Sequence, residues 1–73
     1  METIRQNGKI ILHSNDVTSI KMIFKNLTGS NFQGQEYAEY IRCIAIEDMG
    51  FSPGIIEHCR NGEVINMGTI PNV

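Results

Sequence analysis

The dipeptide Asn61-Gly62 is the feature that most constrains how this chain can fold. It separates two apolar runs, residues 54–60 and 63–70. Asparagine and glycine both tolerate the positive φ angles that the central residues of a type I′ turn require. The pattern therefore predicts a C-terminal β-hairpin whose strands are Gly54–Arg60 and Glu63–Ile70.

A two-residue turn also determines which residues of the two strands lie opposite each other. Arg60 is expected to face Glu63, a pair of opposite charges worth about 0.2–1 kcal/mol. The next expected pairs are Cys59 with Val64, His58 with Ile65, and Ile56 with Met67. Side chains alternate along a strand. The predicted register therefore places Ile56, His58, Ile65 and Met67 on one face and Ile55, Cys59 and Val64 on the other.

The first third of the chain contains a short apolar run followed by a helical pattern. Residues 9–13 are few and β-branched, which favours a strand. From Asp16 the apolar residues recur at helical spacing, with Asp16 suited to the N-cap and Gly29 to the C-terminal stop. A helix is favoured over a strand at 16–28, because a strand would leave Ile23 on the wrong face. The helical stripe consists of Val17, Ile20, Ile23, Phe24 and Leu27.

A second helix is predicted for residues 36–49, after a polar, glycine-flanked loop at 29–34. Gly50 and Pro53 follow its expected end. A strand that includes 44–46 is the alternative. The apolar residues of this helix lie on two sides, so we expect it to be covered on both sides or to face a partner. The main side holds Tyr37, Tyr40, Ile41 and Ile44, and the second side holds Ala38, Ile46 and Met49, with Arg42 among them.

Together these elements predict a small α+β domain in the order β-α-α-β-β, with two helices on one face of a three-stranded sheet. The fallback order is ββαββ, which applies if 16–28 is a strand. The chain has 73 residues, which is enough for a single domain, 1–73. Residues 1–8 and 71–73 are expected to be frayed.

Side chains that could carry catalysis or bind a metal are few and separated. The chain has two cysteines, Cys43 and Cys59, and two histidines, His13 and His58. Neighbouring residues of a strand point to opposite faces, so His58 and Cys59 cannot pair. A metal site needs three or four converging ligands. We therefore expect no catalytic residue, no cofactor and no metal, and a thiol-dependent enzyme is only a distant alternative.

The charged residues give no strong electrostatic signal. The formal net charge is −2, and the six basic residues are scattered. Nucleic-acid binding usually needs a concentrated positive face, so it is the second hypothesis, through Lys21, Lys25 and Arg60. No stretch approaches the roughly 20 apolar residues of a membrane span. Two cysteines without paired spacing are typical of a reducing compartment, so we expect a cytoplasmic protein with no membrane contact.

Apolar side chains outside the predicted core favour protein binding. The leading hypothesis is a non-enzymatic protein-binding module, a small inhibitor, adaptor or regulator such as phages and mobile elements encode. Its partner is an unknown protein or a second copy that forms a homodimer. The candidate partner-binding residues are Met22, Lys25, Arg42, Ile46 and Met49. If Ile46 lies in a dimer interface, Ile46→Asp should leave a folded monomer.

Overall fold

The computed structural model describes residues 1–29 and 35–71, and the side chains within them except those of 35–38. The elements are β1 (Glu2–Gln6), β2 (Lys9–Ser14), α1 (Val17–Leu27), α2 (Gln35–Ile44), β3 (Gly54–Arg60) and β4 (Glu63–Ile70). A π-helical segment, Ala45–Met49, continues α2. The α+β class and the C-terminal hairpin are confirmed, and the order is β-β-α-α-β-β. Most of the predicted loop at 29–34, and residues 72–73, lie outside the described residues.

The additional strand, β1, lies in the middle of the sheet. The strand order is β2-β1-β3-β4, and all neighbours are antiparallel. The expectation of a frayed segment at 1–8 therefore does not hold for Glu2–Gln6. This strand has only one aliphatic side chain, Ile4, so it carries no alternating apolar pattern that would predict a strand. Its burial depends on polar partners instead.

Both hairpins turn through the same dipeptide. Asn7 and Gly8 have φ angles of 55° and 77°, and Asn61 and Gly62 have φ angles of 53° and 86°. Positive φ at both central residues is the requirement of a type I′ turn, and it matches the right-handed twist of the strands. Because each turn has only two residues, it sets the register of its hairpin from the turn outward.

A β-bulge in the C-terminal hairpin corrects the predicted register. Arg60 faces Glu63 and Cys59 faces Val64 as predicted, but His58 then faces Asn66 rather than Ile65. Ile65 is the extra residue of the bulge, and every later pair is displaced by one residue. Ile56 therefore faces Gly68, and Met67 faces Glu57 instead. The prediction that Met67 shares a face with Ile56 and His58 is wrong for this reason.

Helix α1 forms as the spacing predicts, which excludes the ββαββ fallback. The Asp16 carboxylate accepts hydrogen bonds from the Ser19 backbone N–H (3.2 Å) and from its hydroxyl (2.8 Å). This N-cap satisfies a backbone donor that has no partner within the helix. Ile20, Phe24 and Leu27 of the stripe are buried, whereas Val17 is exposed.

The second helix differs from its prediction in which side chains it buries. Tyr40, assigned to the main apolar side, is 62% exposed. Ala45 and Arg42 are buried, and Met49 packs against the core. The π-helical segment adds a residue to the turn before Gly50, which rotates the residues beyond it relative to an uninterrupted α-helix. The side chains of Tyr37 and Ala38 lie outside the described residues.

One face of the sheet packs against the helices and forms the core. The buried cluster consists of Ile4, Ile20, Phe24, Leu27, Ala45, Phe51, Ile56 and Ile70. The other face has no helix over it in the described part of the chain. By strand alternation this face, the open face, carries the exposed aliphatic residues Ile10, Ile55, Val64 and Met67. Within 1–29 and 35–71, no helix is both long and apolar enough to cross a membrane.

Candidate functional site

The five candidate partner-binding residues do not converge on one surface. Arg42 is only 6% exposed, and its Nη1 donates a hydrogen bond to the backbone oxygen of Asn26 at 3.1 Å. This contact satisfies a carbonyl at the C-terminal end of α1, where helix carbonyls lack partners and a cation is favoured. Arg42 thus joins the two helices, and its role in partner binding stays a prediction.

The other four candidates are divided among separate places. Ile46 is exposed beside a cleft of about 310 Å³ that Arg42, Cys43, Pro53 and Pro71 also line. Met22 lines a second cleft between the helices, together with Ile41. Lys25 lines a third cleft on the opposite side of α1, and Met49 is largely covered by the core. No single partner surface therefore includes all five.

The third cleft is lined by basic residues from two separate segments of the chain. It lies between α1 and the β3–β4 hairpin and has a volume of about 240 Å³. We call it the cationic cleft, because the described side chains that line it include three basic residues, one histidine and no acidic residue. These lining residues are Val17, Lys21, Phe24, Lys25, His58, Arg60, Ile65 and Asn66.

A buried carboxylate beneath this cleft orients two of its side chains. Glu2 Oε2 accepts from Arg60 Nε at 2.7 Å, and Glu2 Oε1 accepts from Arg60 Nη2 at 3.2 Å. Glu2 Oε1 also lies 2.7 Å from His58 Nε2. An ionised carboxylate can only accept, so the ring N–H at Nε2 is the donor. The His58 ring lies against Phe24, with ring centroids 5.6 Å apart.

The electrostatics of this cluster keep Glu2 ionised. The Arg60 hydrogen bond, followed by that of His58, lowers the pKa of Glu2 from 4.5 to about 2, against the opposing effect of desolvation. Glu2 in turn raises the pKa of Arg60. The predicted Arg60–Glu63 ion pair is replaced, because the Arg60 guanidinium binds Glu2 instead, although the two residues do face each other in the register.

The cysteines occupy unlike environments. Cys59 is fully buried and Cys43 is exposed, and neither forms a disulfide. The negative charge of Glu47 raises the pKa of the Cys43 thiol, with desolvation adding to the effect. A raised pKa reduces the thiolate fraction on which cysteine nucleophilicity depends. No group of three or more His, Cys, Asp or Glu side chains in the described residues is arranged to hold a metal ion.

A row of four side chains, one from each strand, crosses the open face. Register partners place Ile10, Arg5, Glu57 and Met67 in one row, from β2 to β4. At the centre of this row, Arg5 Nη2 donates to Glu57 Oε1 at 3.2 Å. The Nε atom of Arg5 is buried and has no hydrogen-bond partner in the described part of the chain. The ion pair is therefore incompletely satisfied.

Sequence reasoning missed Glu2, the residue that organises the cationic cleft. Its strand contains one aliphatic residue, Ile4, so neither apolar periodicity nor a charge cluster draws attention to it. The available signal was Asn7-Gly8, since the dipeptide that predicts the C-terminal hairpin also occurs between 2–6 and 9–14. A strand at 2–6 could then pair with either hairpin strand, which would bring Glu2 near the charged end of β3.

Comparisons with known proteins place the chain in a family. No curated protein and no solved structure matches it. One family model, described as "Domain of unknown function (DUF7688)", matches residues 1–71, which is nearly the whole chain. The protein therefore belongs to the DUF7688 family.

Proposed function

We propose that this protein is a non-enzymatic protein-binding module, a small regulator, adaptor or inhibitor, and that it self-associates through the open face. The observation that carries the proposal is the exposure of large aliphatic side chains on a sheet face with no helix over it. Their exposed fractions are 53% for Ile10, 61% for Ile55, 40% for Val64 and 58% for Met67. Grouped apolar exposure of this kind marks interaction surfaces on small proteins.

The ion pair at the centre of the open face favours a second copy as the occupant. A two-fold axis through the Arg5–Glu57 pair sets each Arg5 beside the Glu57 of the partner. The Arg5 and Glu57 side chains remain 29% and 27% exposed, so their exposed atoms can pair with those of a second copy. Cyclic dimers use one patch twice, so a patch with both charges at its centre is self-complementary.

The size of the open face predicts a weak dimer. Four strands about 4.8 Å apart and about 20 Å long span roughly 400 Å². Stable complexes bury about 800 Å² per partner, so this face supplies about half of that area. We expect a dissociation constant between about 1 μM and 1 mM, so that the monomer and dimer exchange with concentration.

The cysteines support a binding role in a reducing, cytoplasmic compartment. Both thiols are free. Cys43, the exposed one, has a raised pKa because of Glu47 and lines a cleft with no histidine among its described residues. A thiol nucleophile needs a lowered pKa or an adjacent base, and neither feature is present at Cys43.

Sedimentation velocity over a range of concentrations tests the proposal, with two exposed isoleucines as a matched pair. Ile55 lies on the open face and Ile46 lies on the π-helical segment. Ile55→Asp should weaken the dimer by at least about tenfold, because tenfold corresponds to only 1.4 kcal/mol. Ile46→Asp should leave the dimer unchanged. Circular dichroism verifies that both variants fold, and Ile55→Thr provides a substitution compatible with a strand.

Three outcomes would contradict the proposal. A wild-type protein that stays monomeric up to about 1 mM would exclude self-association of the strength expected. A dimer that survives Ile55→Asp and Ile55→Thr but dissociates in Ile46→Asp would move the interface to the second helix. Equal weakening by substitutions at both positions, in variants that circular dichroism shows to be folded, would mean that the interface is not specific to the open face.

A further inference from the structure

The two Asn-Gly dipeptides of this chain occupy matching positions in the fold. Asn7-Gly8 joins β1 to β2, and Asn61-Gly62 joins β3 to β4. The backbone is nearly the same at both turns, with φ angles of 55° and 53° at the asparagines. All four residues are exposed to solvent. The fold therefore presents the same reactive dipeptide twice, in the same local conformation.

An Asn-Gly dipeptide carries its own nucleophile and electrophile. The backbone nitrogen of the glycine attacks the side-chain Cγ of the asparagine and forms a new N–Cγ bond. The Cγ–Nδ2 bond breaks, and ammonia leaves with the proton of the glycine N–H. Water then opens the cyclic imide. Hydrolysis of the new N–Cγ bond gives aspartate, and hydrolysis of the original peptide bond gives isoaspartate, in which the chain runs through Cγ.

The attacking nitrogens of the two sites are equally accessible. Glycine has no Cβ that would shield its backbone nitrogen. The space beside Gly8 and Gly62 is also open, because a Cβ built on either residue would meet no heavy atom within 4 Å in the described part of the chain, apart from its own neighbours. The nucleophiles therefore give no reason for different rates at the two turns.

The two asparagine side chains, in contrast, are held differently. Met1 N donates a hydrogen bond to Asn61 Oδ1 at 2.7 Å, and the Asn61 N–H donates to the Met1 carbonyl oxygen at 3.0 Å. Asn61 is thus fixed through both its side chain and its backbone. Within residues 1–29 and 35–71, the Asn7 carboxamide forms no hydrogen bond.

This difference affects the step in which the ring closes. The carboxamide has to turn toward the nitrogen of the following glycine, and at Asn61 this movement breaks the bond from Met1. At Asn7 no such bond opposes it. A tenfold difference in rate corresponds to about 1.4 kcal/mol of activation free energy, which lies within the range of a single protein hydrogen bond.

We propose that Asn7 is a site of spontaneous deamidation in the folded protein, and that Met1 protects Asn61 in the matching turn. Conversion of Asn7 adds one negative charge beside Lys9 and changes the formal net charge from −2 to −3. The isoaspartate product also adds a backbone atom to the two-residue turn that sets the register of β1 with β2. The reaction is independent of self-association through the open face.

Peptide mapping by mass spectrometry tests the inference on the full chain, incubated at mildly alkaline pH either folded or unfolded in concentrated urea. In urea we expect Asn7 and Asn61 to convert at similar rates, because both precede glycine and the contact with Met1 is lost. In the folded protein we expect Asn7 to convert about tenfold faster than Asn61. The comparison uses the unchanged sequence and needs no variant to fold.

Two variants test the cause of this difference. Deletion of Met1, an exposed residue that precedes β1, removes both hydrogen bonds to Asn61. It should raise the rate at Asn61 toward that at Asn7 and leave Asn7 unchanged. Asn7→Asp reproduces the aspartate product and should leave Asn61 slow, because it adds charge at one turn without altering the other. Circular dichroism verifies that both variants fold.

Four results would overturn the inference. Equal rates at the two sites in the folded protein would mean that the turn conformation, and not Met1, determines reactivity. A faster rate at Asn61 would mean that Met1 activates the carboxamide rather than restrains it. An Asn7 that converts in urea but not in the folded chain would exclude the site. A folded Met1 deletion in which Asn61 stays slow would exclude protection by Met1.

Discussion

The two hairpins of this protein have the same kind of turn and bulge, but their central strands bury different kinds of side chain. Each turns through Asn-Gly, and each contains one β-bulge, between Ile4 and Arg5 in β1–β2 pairing and between His58 and Cys59 in β3–β4 pairing. Strand β3 buries Ile56, His58 and Cys59, whereas β1 buries Glu2, Thr3 and Gln6 beside its single aliphatic residue, Ile4. A central strand can therefore be buried through satisfied polar groups as well as through apolar ones.

The largest expected effects come from truncating the one aliphatic residue that each central strand contributes to the core. Ile4 and Ile56 are both fully buried. Ile4→Ala and Ile56→Ala should each cost about 2–5 kcal/mol of unfolding free energy. A chain of this length has roughly 4–11 kcal/mol in total. Urea denaturation measures the loss, and Ile55→Ala on the open face, with little burial to lose, serves as the control.

Similar losses at Ile4 and Ile56 would mean that the two strands depend equally on apolar packing despite their different composition. A loss at Ile4 below about 1 kcal/mol would contradict this and would assign the stability of β1 to its polar contacts alone.

The contrast between the hairpins also explains what the sequence could predict. The C-terminal hairpin was predictable because its turn dipeptide and the apolar residues on either side both indicate a hairpin. Helix α1 was predictable because its N-cap residue and the spacing of its apolar residues both indicate a helix. Strand β1 could have been predicted from Asn7-Gly8, but its central, buried position could not, because the burial of Glu2 and Gln6 depends on partners more than 40 residues away. The bulge at Ile65 was not predicted, because the two-residue turn determines the pairing only as long as no extra residue interrupts it.

The candidate site was predictable only in part. Lys21, Lys25 and Arg60 were singled out as the cations for a nucleic-acid hypothesis, and the structure brings these three residues to one cleft. Their convergence depends on how α1 crosses the C-terminal hairpin, which is a property of packing. The open face was not predicted as a surface, because strand β1 and the two β-bulges, which determine the side chains that lie on it, were not predicted.

The next largest loss of unfolding free energy is expected from removing the side-chain hydrogen bonds that join β1 to Ser52. Gln6 Nε2 donates to the Ser52 carbonyl at 2.7 Å, and the Ser52 N–H donates to Gln6 Oε1 at 2.8 Å. Gln6→Ala removes both bonds and should cost about 1–3 kcal/mol, at about 0.5–1.5 kcal/mol for each. Chemical denaturation measures it. Gln6→Glu, which sets a buried carboxylate against the Ser52 carbonyl, should lose at least as much as Gln6→Ala.

Substitutions in the two turns should lower the unfolding free energy by smaller and nearly equal amounts. Gly8 and Gly62 have φ angles of 77° and 86°, where an L side chain is strained. Gly8→Ala and Gly62→Ala should each cost about 1–2 kcal/mol. Thermal unfolding monitored by circular dichroism compares them. A much larger loss at Gly8 would show that the polar hairpin depends more on its turn than the apolar hairpin does.

The last prediction concerns the charge on Glu2, whose signature is a loss of stability in acid. Its pKa is about 2 in the folded protein and 4.5 as an ordinary value. The folded state therefore binds fewer protons between these values, so the stabilisation is complete above pH 4.5 and is lost as the pH falls through 2. Glu2→Gln should flatten the decline in stability over this window.

The control for this pH dependence is Glu63→Gln, which removes an exposed carboxylate on β4 that has no ion pair in the described part of the chain. It should retain the wild-type decline between pH 4.5 and 2, as followed by urea denaturation at each pH. An unchanged decline in Glu2→Gln would contradict the role assigned to the Glu2–Arg60–His58 cluster.

The central position of β1 also determines the order in which the sheet can assemble. Each hairpin closes through a two-residue turn, and such hairpins form in about 1–10 μs. The pairing of β1 with β3 joins residues 52 positions apart, as Arg5 and Glu57 are, and closure over that separation is slower. During synthesis the first hairpin emerges early, with one edge of β1 unpaired until β3 follows. The N-terminal hairpin is therefore an incomplete sheet until β3 has been synthesised.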